Sequence, residues 1–271
     1  MEKKINPIGF LYWPLAVIAM VGAAFWIGRL SIQVENLQNN KQAIAANVPD
    51  GPTQPVAQPT PVPVAIDQIK TLFSENLVKF GDENRKVLFV QVFDPSCPYC
   101  QATSGKNPSL NLQLGPQFKL VSDGGSYVPP LPEMRKLVDA KKASLVWIYT
   151  SGHGNGEMGT KALYCAFEKG RFWQVEDLLL TKDGYDLLNN NVKNDKSKSG
   201  VLAQFLRKAM DPTEMKKCLD SGKYDDRLQA DTSVASNLGV SGTPGFFINA
   251  TRFAGAYSYD AMKSAVDEAL K

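Results

Sequence analysis

The sequence predicts an α/β domain with an inserted block of helices, carried behind a single membrane-spanning helix. Three features point there. Residues 87–93 and 144–150 are continuous apolar runs rich in β-branched and aromatic side chains, the pattern of buried strands. Between them and a later strand at 246–249, residues 157–238 repeat apolar side chains at helical spacing. Residues 8–28 hold no charge over 21 positions, about the ~20 that span a bilayer as a helix.

The 271 residues suffice for one large domain plus appendages. The hydrophobic fraction of 44% is that of a chain with a real core, and the net charge is only +3. Both signs are dispersed, and no basic stripe is interleaved with aromatics, so nucleic acid is not an expected partner.

From the N-terminus, residues 1–7 carry Lys3 and Lys4 against the single Arg29 that closes the apolar run. That bias predicts a cytoplasmic N-terminus and export of the rest of the chain. Tyr12, Trp13 and Trp26 lie near the two ends of the run, where interface aromatics are favoured. A cleaved signal peptide is the alternative; the run is longer than a usual signal core and no small-x-small site directly follows it. Residues 29–65 read as a stalk and linker, with prolines at 49, 52, 55, 59, 61 and 63 that favour an extended spacer. The folded domain is expected over 66–271, membrane-anchored and on the periplasmic or extracellular side.

Within that domain, the apolar spacing at 66–80 predicts a first helix, ended by Gly81. The strand at 87–93 leads into Cys97-Pro98-Tyr99-Cys100 and a short helix that breaks near Gly105 and Pro108. Residues 105–132 are turn-rich, with a short strand at 118–121. A helix follows over 132–140, with proline in its first turn. After the strand at 144–150, the loop Ser151-Gly152-His153-Gly154-Asn155-Gly156 lacks the lysine-serine or acidic partner of a phosphate cradle. His153 is the only histidine. An ordinary loop is the reading, with a place at an active site as the alternative, since a loop after a strand can face one. Residues 189–200 are polar and read as an exposed connection between helices. A short strand at 252–255 and a helix at 258–270 close the chain. Asn249-Ala250-Thr251 has the form of a glycosylation acceptor, but it falls in a tight hairpin.

Chemistry concentrates at the cysteines. A strand that ends in Cys-x-x-Cys and opens a helix sets the first sulfur among unpaired amide N–H groups, which favour an anion. A free thiol with a pKa of ~8.5 drops to ~3.5–7.5 at such places. The pair could instead be half of a zinc site, but Cys165 and Cys218 do not come as a second closely spaced ligand pair.

The strand–Cys-x-x-Cys–helix start, together with Thr243-Pro244 before a strand near the end, resembles the thioredoxin fold over 66–271. The helical block at about 157–238 is similar to the inserted domain of DsbA-like thiol oxidases. The likeness lies in Tyr164-Cys165-Ala166, Gly170-Arg171-Phe172-Trp173, Asp177-Leu178-Leu179 and residues 238–247. It implies Cys97 as nucleophile, Cys100 as resolving thiol and Pro244 as a cis-proline facing them. It further implies that Thr243 offers backbone to a bound substrate strand, with Pro98 and Tyr99 beside it. Where many members of that family hold a carboxylate six positions before the first cysteine, this chain has Gln91, and Asp94 is the nearest acid.

The resemblance implies no cofactor. It implies cysteine-containing exported proteins as substrates and a membrane redox partner that reoxidises the pair. The expected activity is oxidation of cysteine pairs in secreted or envelope proteins. A reductase or isomerase on the same fold, and a non-catalytic peptide-binding assembly factor, are the alternatives. With Cys97 and Cys100 paired, Cys165 and Cys218 are expected to form a structural disulfide in an oxidising compartment; two buried reduced cysteines are the other outcome.

Overall fold

The computed structural model describes residues 64–271. The anchor expected at 8–28 and nearly all of the stalk and linker lie outside the described residues. Among the described residues, no helix is long and apolar enough to cross a membrane.

The elements run from α1 (Ile66–Thr71) through β1 (Val78–Phe80), β2 (Val87–Phe93), α2 (Pro98–Ala102), α3 (Pro108–Gln113) and α4 (Pro130–Asp139) to β3 (Ala143–Tyr149). The helical block follows: α5 (Glu157–Glu168), α6 (Phe172–Leu179), α7 (Lys182–Asp186), a π-helical turn (Leu187–Val192), α8 (Ser199–Phe205), α9 (Pro212–Asp220) and α10 (Asp225–Asn237). The chain closes with β4 (Gly245–Ile248), β5 (Thr251–Ala254) and α11 (Tyr259–Leu270). The strands form one sheet in the order β1-β3-β2-β4-β5. β2 and β3 are parallel, and the other neighbours are antiparallel.

β2 and β3 occupy the middle of the sheet, and all of their residues are buried. This is why neither alternates polar with apolar: both faces are covered. One face of β2 sets Phe89 and Phe93 among Trp147, Tyr164 and Phe172, under the helical insertion. The other sets Leu88, Val90 and Val92 against Ile69, Ala235 and Leu238 from α1 and the end of α10. The central strand is therefore clamped on both sides, and its C-terminal end delivers the Cys-x-x-Cys segment to a fixed place.

The structure corrects three expectations. The first helix stops at Thr71 rather than continuing to 80, because Val78–Phe80 pairs with β3 as an edge strand. Three residues that alternate across an edge strand mimic helical spacing when they follow a helix. No strand forms at 118–121: Phe118 ends a 3₁₀ turn and only Leu120 bridges, to Tyr127. The polar stretch at 189–200 is not merely an exposed connection. It holds the π-helical turn, two residues in the left-handed region (Lys193, Asn194) and contacts to the active-site loops described below.

Cys165 on α5 and Cys218 on α9 are joined by a disulfide across 53 residues of chain, with their Cα atoms 6.1 Å apart. A loop of that length adds roughly 4 kcal/mol on the chain-entropy estimate. Replacing both cysteines with alanine is expected to lower the unfolding free energy by up to about 4 kcal/mol. A shift of the urea midpoint relative to the unsubstituted protein would measure it.

Candidate active site

Cys97 is the N-cap of α2 and Pro98 is its first residue. A proline fits there because the first helical N–H would have no partner inside the helix. Cys97 and Cys100 are both buried and present as free thiols. The Thr243–Pro244 bond is cis, and the Cys97 Sγ donates to the Thr243 carbonyl oxygen at 3.5 Å. The segment before β4 thus forms a wall against the first cysteine, with Pro244 buried and Thr243 half-buried.

The two sulfurs differ in acidity. The Cys97 thiol is lowered to about 6, chiefly by a hydrogen bond from the Cys100 side chain. Burial opposes this, while the Thr243 side chain and the amide N–H groups of Cys100 and Tyr99 add to the lowering. α2 has only five residues, so the anion rests on near neighbours more than on a long helix. Cys100 is pushed well above the ordinary thiol value by burial first, then by its hydrogen bond to Cys97. The backbone N–H of Asp94 donates to its sulfur at 3.5 Å. Cys97 therefore ionises readily, and Cys100 holds its proton.

Asp94 locks the surrounding loops. One of its carboxylate oxygens accepts from the Ser96 N–H (2.8 Å) and hydroxyl (2.7 Å). The other accepts from the Gly152 N–H (2.8 Å) and the His153 N–H (2.9 Å). This fully buried carboxylate thereby ties the end of β2 to the glycine-rich loop after β3. His153 takes part through its backbone, and its side chain is exposed. Gly152 is glycine for a steric reason: a Cβ there would overlap the Thr243 hydroxyl.

The helical block braces the same loops. Asn189 Nδ2 donates to the Ser96 carbonyl (3.1 Å), and its Oδ1 accepts from Asn155 (3.1 Å). Asn194 accepts from the Met158 N–H and donates to the Gly154 carbonyl. Gln101, beside Cys100, donates to the carbonyls of Pro95 (2.9 Å) and Leu179 (3.0 Å), joining α2 to the end of α6. Asn189, Asn194 and Gln101 were not singled out from sequence. Of these, only Gln101 left a trace there, as an amide directly after a cysteine that must be buried.

Tyr99 is exposed and leans on Phe118, 5.7 Å between ring centres, and Phe118 in turn meets Tyr127 at 5.5 Å. The segment 105–132 thus folds beside the Cys-x-x-Cys segment, with Asn111 donating to the carbonyls of Ala102 and Phe118. Cys165 and Cys218 stand apart in the helical block. Their bond to each other removes them as ligands for a metal held by Cys97 and Cys100. The Asn249 side chain is spent on the backbone, accepting from the Leu88 N–H and donating to the Lys86 carbonyl in the β4–β5 hairpin.

A family model described as thioredoxin matches residues 134–268, which takes in the helical block and the Thr243–Pro244 wall. A solved structure of Chlamydia trachomatis DsbA aligns with 80% of this chain and 96% of its own, at 15% identity and a TM-score of 0.52. The fold is thioredoxin-like. A Rickettsia felis protein designated a protein-disulfide oxidoreductase is 24% identical over 86% of this chain and 72% of its own length. The Na+/H+ antiporter NhaA 3 of Salinispora tropica is 27% identical over 70% of this chain, which spans only 24% of the antiporter's length. Fold, paired thiols and relatives together support a thiol–disulfide oxidoreductase.

Two outcomes follow. Only the thiolate is nucleophilic, so the alkylation rate of reduced Cys97 should rise with pH to half-maximum near 6. In Cys100→Ala, which removes the largest lowering contact, the midpoint should move towards the ordinary thiol range; mass spectrometry after timed alkylation reads both. Asp94→Ala strips the acceptor from four hydrogen bonds. It should cost about 3 kcal/mol of stability, measured by urea denaturation.

Proposed function

We propose that this protein is an exported, membrane-anchored thiol–disulfide oxidoreductase that oxidises cysteine pairs in secreted or envelope proteins. The observation that carries the reading is the unequal acidity of two buried thiols, one lowered and one raised, against the Thr243–Pro244 wall. The charge bias around residues 8–28 and the apolar length of that run support the export and anchoring.

In the oxidised state, a substrate thiolate attacks Cys97 Sγ, and the Cys97–Cys100 bond breaks as the mixed disulfide forms. A second substrate thiolate then attacks the substrate sulfur of that mixed disulfide. The substrate leaves with a disulfide, and Cys97 leaves as a thiolate. A lowered thiol leaves faster, and a stabilised thiolate favours the reduced protein, which makes the oxidised form the stronger oxidant. The exposed Tyr99 and the half-buried Phe118, backed by the buried Tyr127, give the substrate an apolar surface next to Cys97. A membrane redox partner would restore the disulfide.

The reduction potential of the Cys97/Cys100 couple tests the direction. Equilibration with glutathione should give a value above about −180 mV, on the oxidising side of disulfide isomerase. A value near −270 mV, that of thioredoxin, would make this protein a reductase.

A further inference from the structure

The exchange just described moves a proton that the Cys97 surroundings do not account for. When the Cys97–Cys100 bond opens, Cys100 leaves as a thiolate in a place where burial strongly disfavours that charge. It must be protonated from within the domain. Asp94 is committed to the loops, with four donors from Ser96, Gly152 and His153 already on its two oxygens.

Another buried carboxylate lies in the helical block, among the residues that cover the Phe89 and Phe93 face of β2. Glu176 on α6 is 5% exposed, and its Oε1 has no hydrogen-bond partner. Gln91 on β2 is 1% exposed, and its Nε2 also has none. Buried polar atoms without partners are rare. Both residues line one cavity of about 390 Å³, together with Ser104, four residues beyond Cys100. Gln91 shares a face of β2 with Phe89 and Phe93, the face that packs with Cys100. The Gln101–Leu179 hydrogen bond fixes α6 against the Cys-x-x-Cys segment.

We propose that Glu176, acting through the Gln91 amide and the cavity, holds the proton that Cys100 takes up when the disulfide opens and returns when it closes. In the opening step, the incoming thiolate forms an S–S bond to Cys97 and the Cys97–Cys100 bond breaks. The electron pair stays on Cys100, and the proton passes from the Glu176 carboxyl, leaving a carboxylate. Closing runs in reverse, with the substrate thiolate as leaving group. No other oxidant or reductant enters either step.

The charges around Glu176 suit that role. Its carboxyl is raised to about 8, first by burial and then by Asp177; Arg135, Lys106 and Gln91 pull it down less. Arg135 and Lys106 are both paired with Asp177, at 3.1 and 2.8 Å. Lys136 and Asp139 also line the cavity. At neutral pH the group therefore holds its proton, and it gives it up above about 8.

Resting on the Cys97–Cys100 exchange proposed above, this role can be tested separately from it. The oxidised protein is mixed with an aromatic monothiol that stays ionised from pH 6 to 10, and the rate of mixed-disulfide formation is followed. The unsubstituted protein should react at a steady rate up to about pH 8 and more slowly above it. E176Q should be about 100-fold slower at pH 7, the low end for loss of a general acid, and should lack the fall above pH 8. Glu176→Asp should recover part of the rate and keep a fall at alkaline pH. If E176Q folds poorly, Gln91→Met supplies the reading, with the same loss of the alkaline fall expected. A profile for E176Q that matches the unsubstituted protein overturns the role, as does a slower rate with the alkaline fall intact. If the unsubstituted protein forms no mixed disulfide at all, it is the exchange itself that fails.

Discussion

The coupling between the Cys100 and Cys97 side chains, which lowers one thiol and raises the other, is the interaction on which the site depends. It requires two sulfurs in unequal surroundings, one near a wall that still admits a substrate and one closed off from water. The inequality is what makes the pair directional. A thiol that ionises easily is attacked or displaced, and a thiol that does not ionise waits. Everything else in the domain serves to keep that difference in place. β2 is buried on both faces so that its end cannot drift, and the Thr243 carbonyl and Pro244 close the far side.

The loops around the pair have few apolar contacts of their own and are held by polar ones. Asp94 gathers donors from Ser96, Gly152 and His153, and Asn189 and Asn194 reach in from the helical block to Ser96, Gly154 and Met158. A network of this kind is costly to leave half made, because each buried group without a partner loses its hydration. The helical block is therefore more than an appendage that enlarges the domain. It sets the position of the residue just before Cys97 and, through Gln101 and Leu179, of the residue just after Cys100.

Much of this was legible in the sequence, for reasons that differ from residue to residue. β2 and β3 announce themselves because a strand covered on both faces has no polar positions to blur it. Cys97, Cys100 and Thr243-Pro244 stand out because few other chemistries need those residues at that spacing. β1 was hidden because three residues on a sheet edge gain their form from the partner strand, not from their own pattern. Asn189 and Asn194 were hidden because a polar side chain carries no periodicity, and the residue that Asn189 bonds, Ser96, lies 93 positions away. Glu176 reads as an ordinary charged helix residue next to Asp177. Only the fold shows that Glu176 is buried with an unpartnered oxygen, while Asp177, lining the same cavity, pairs with lysine and arginine.

The contact between Cys97 and Thr243 spans 146 residues of chain. Synthesis runs from the N-terminus, and domains complete their folding as units. A growing chain therefore exposes both cysteines long before the segment that shapes their reactivity exists. The Gly152–Thr243 packing and the Asp94 lock arrive in the same late order. Until the last strands join the sheet, Cys97 lacks the wall and the Thr243 contact that help make it acidic. The reactive thiol is thus a property of the finished molecule, and incomplete chains are spared the most exchange-prone form of each other's cysteines.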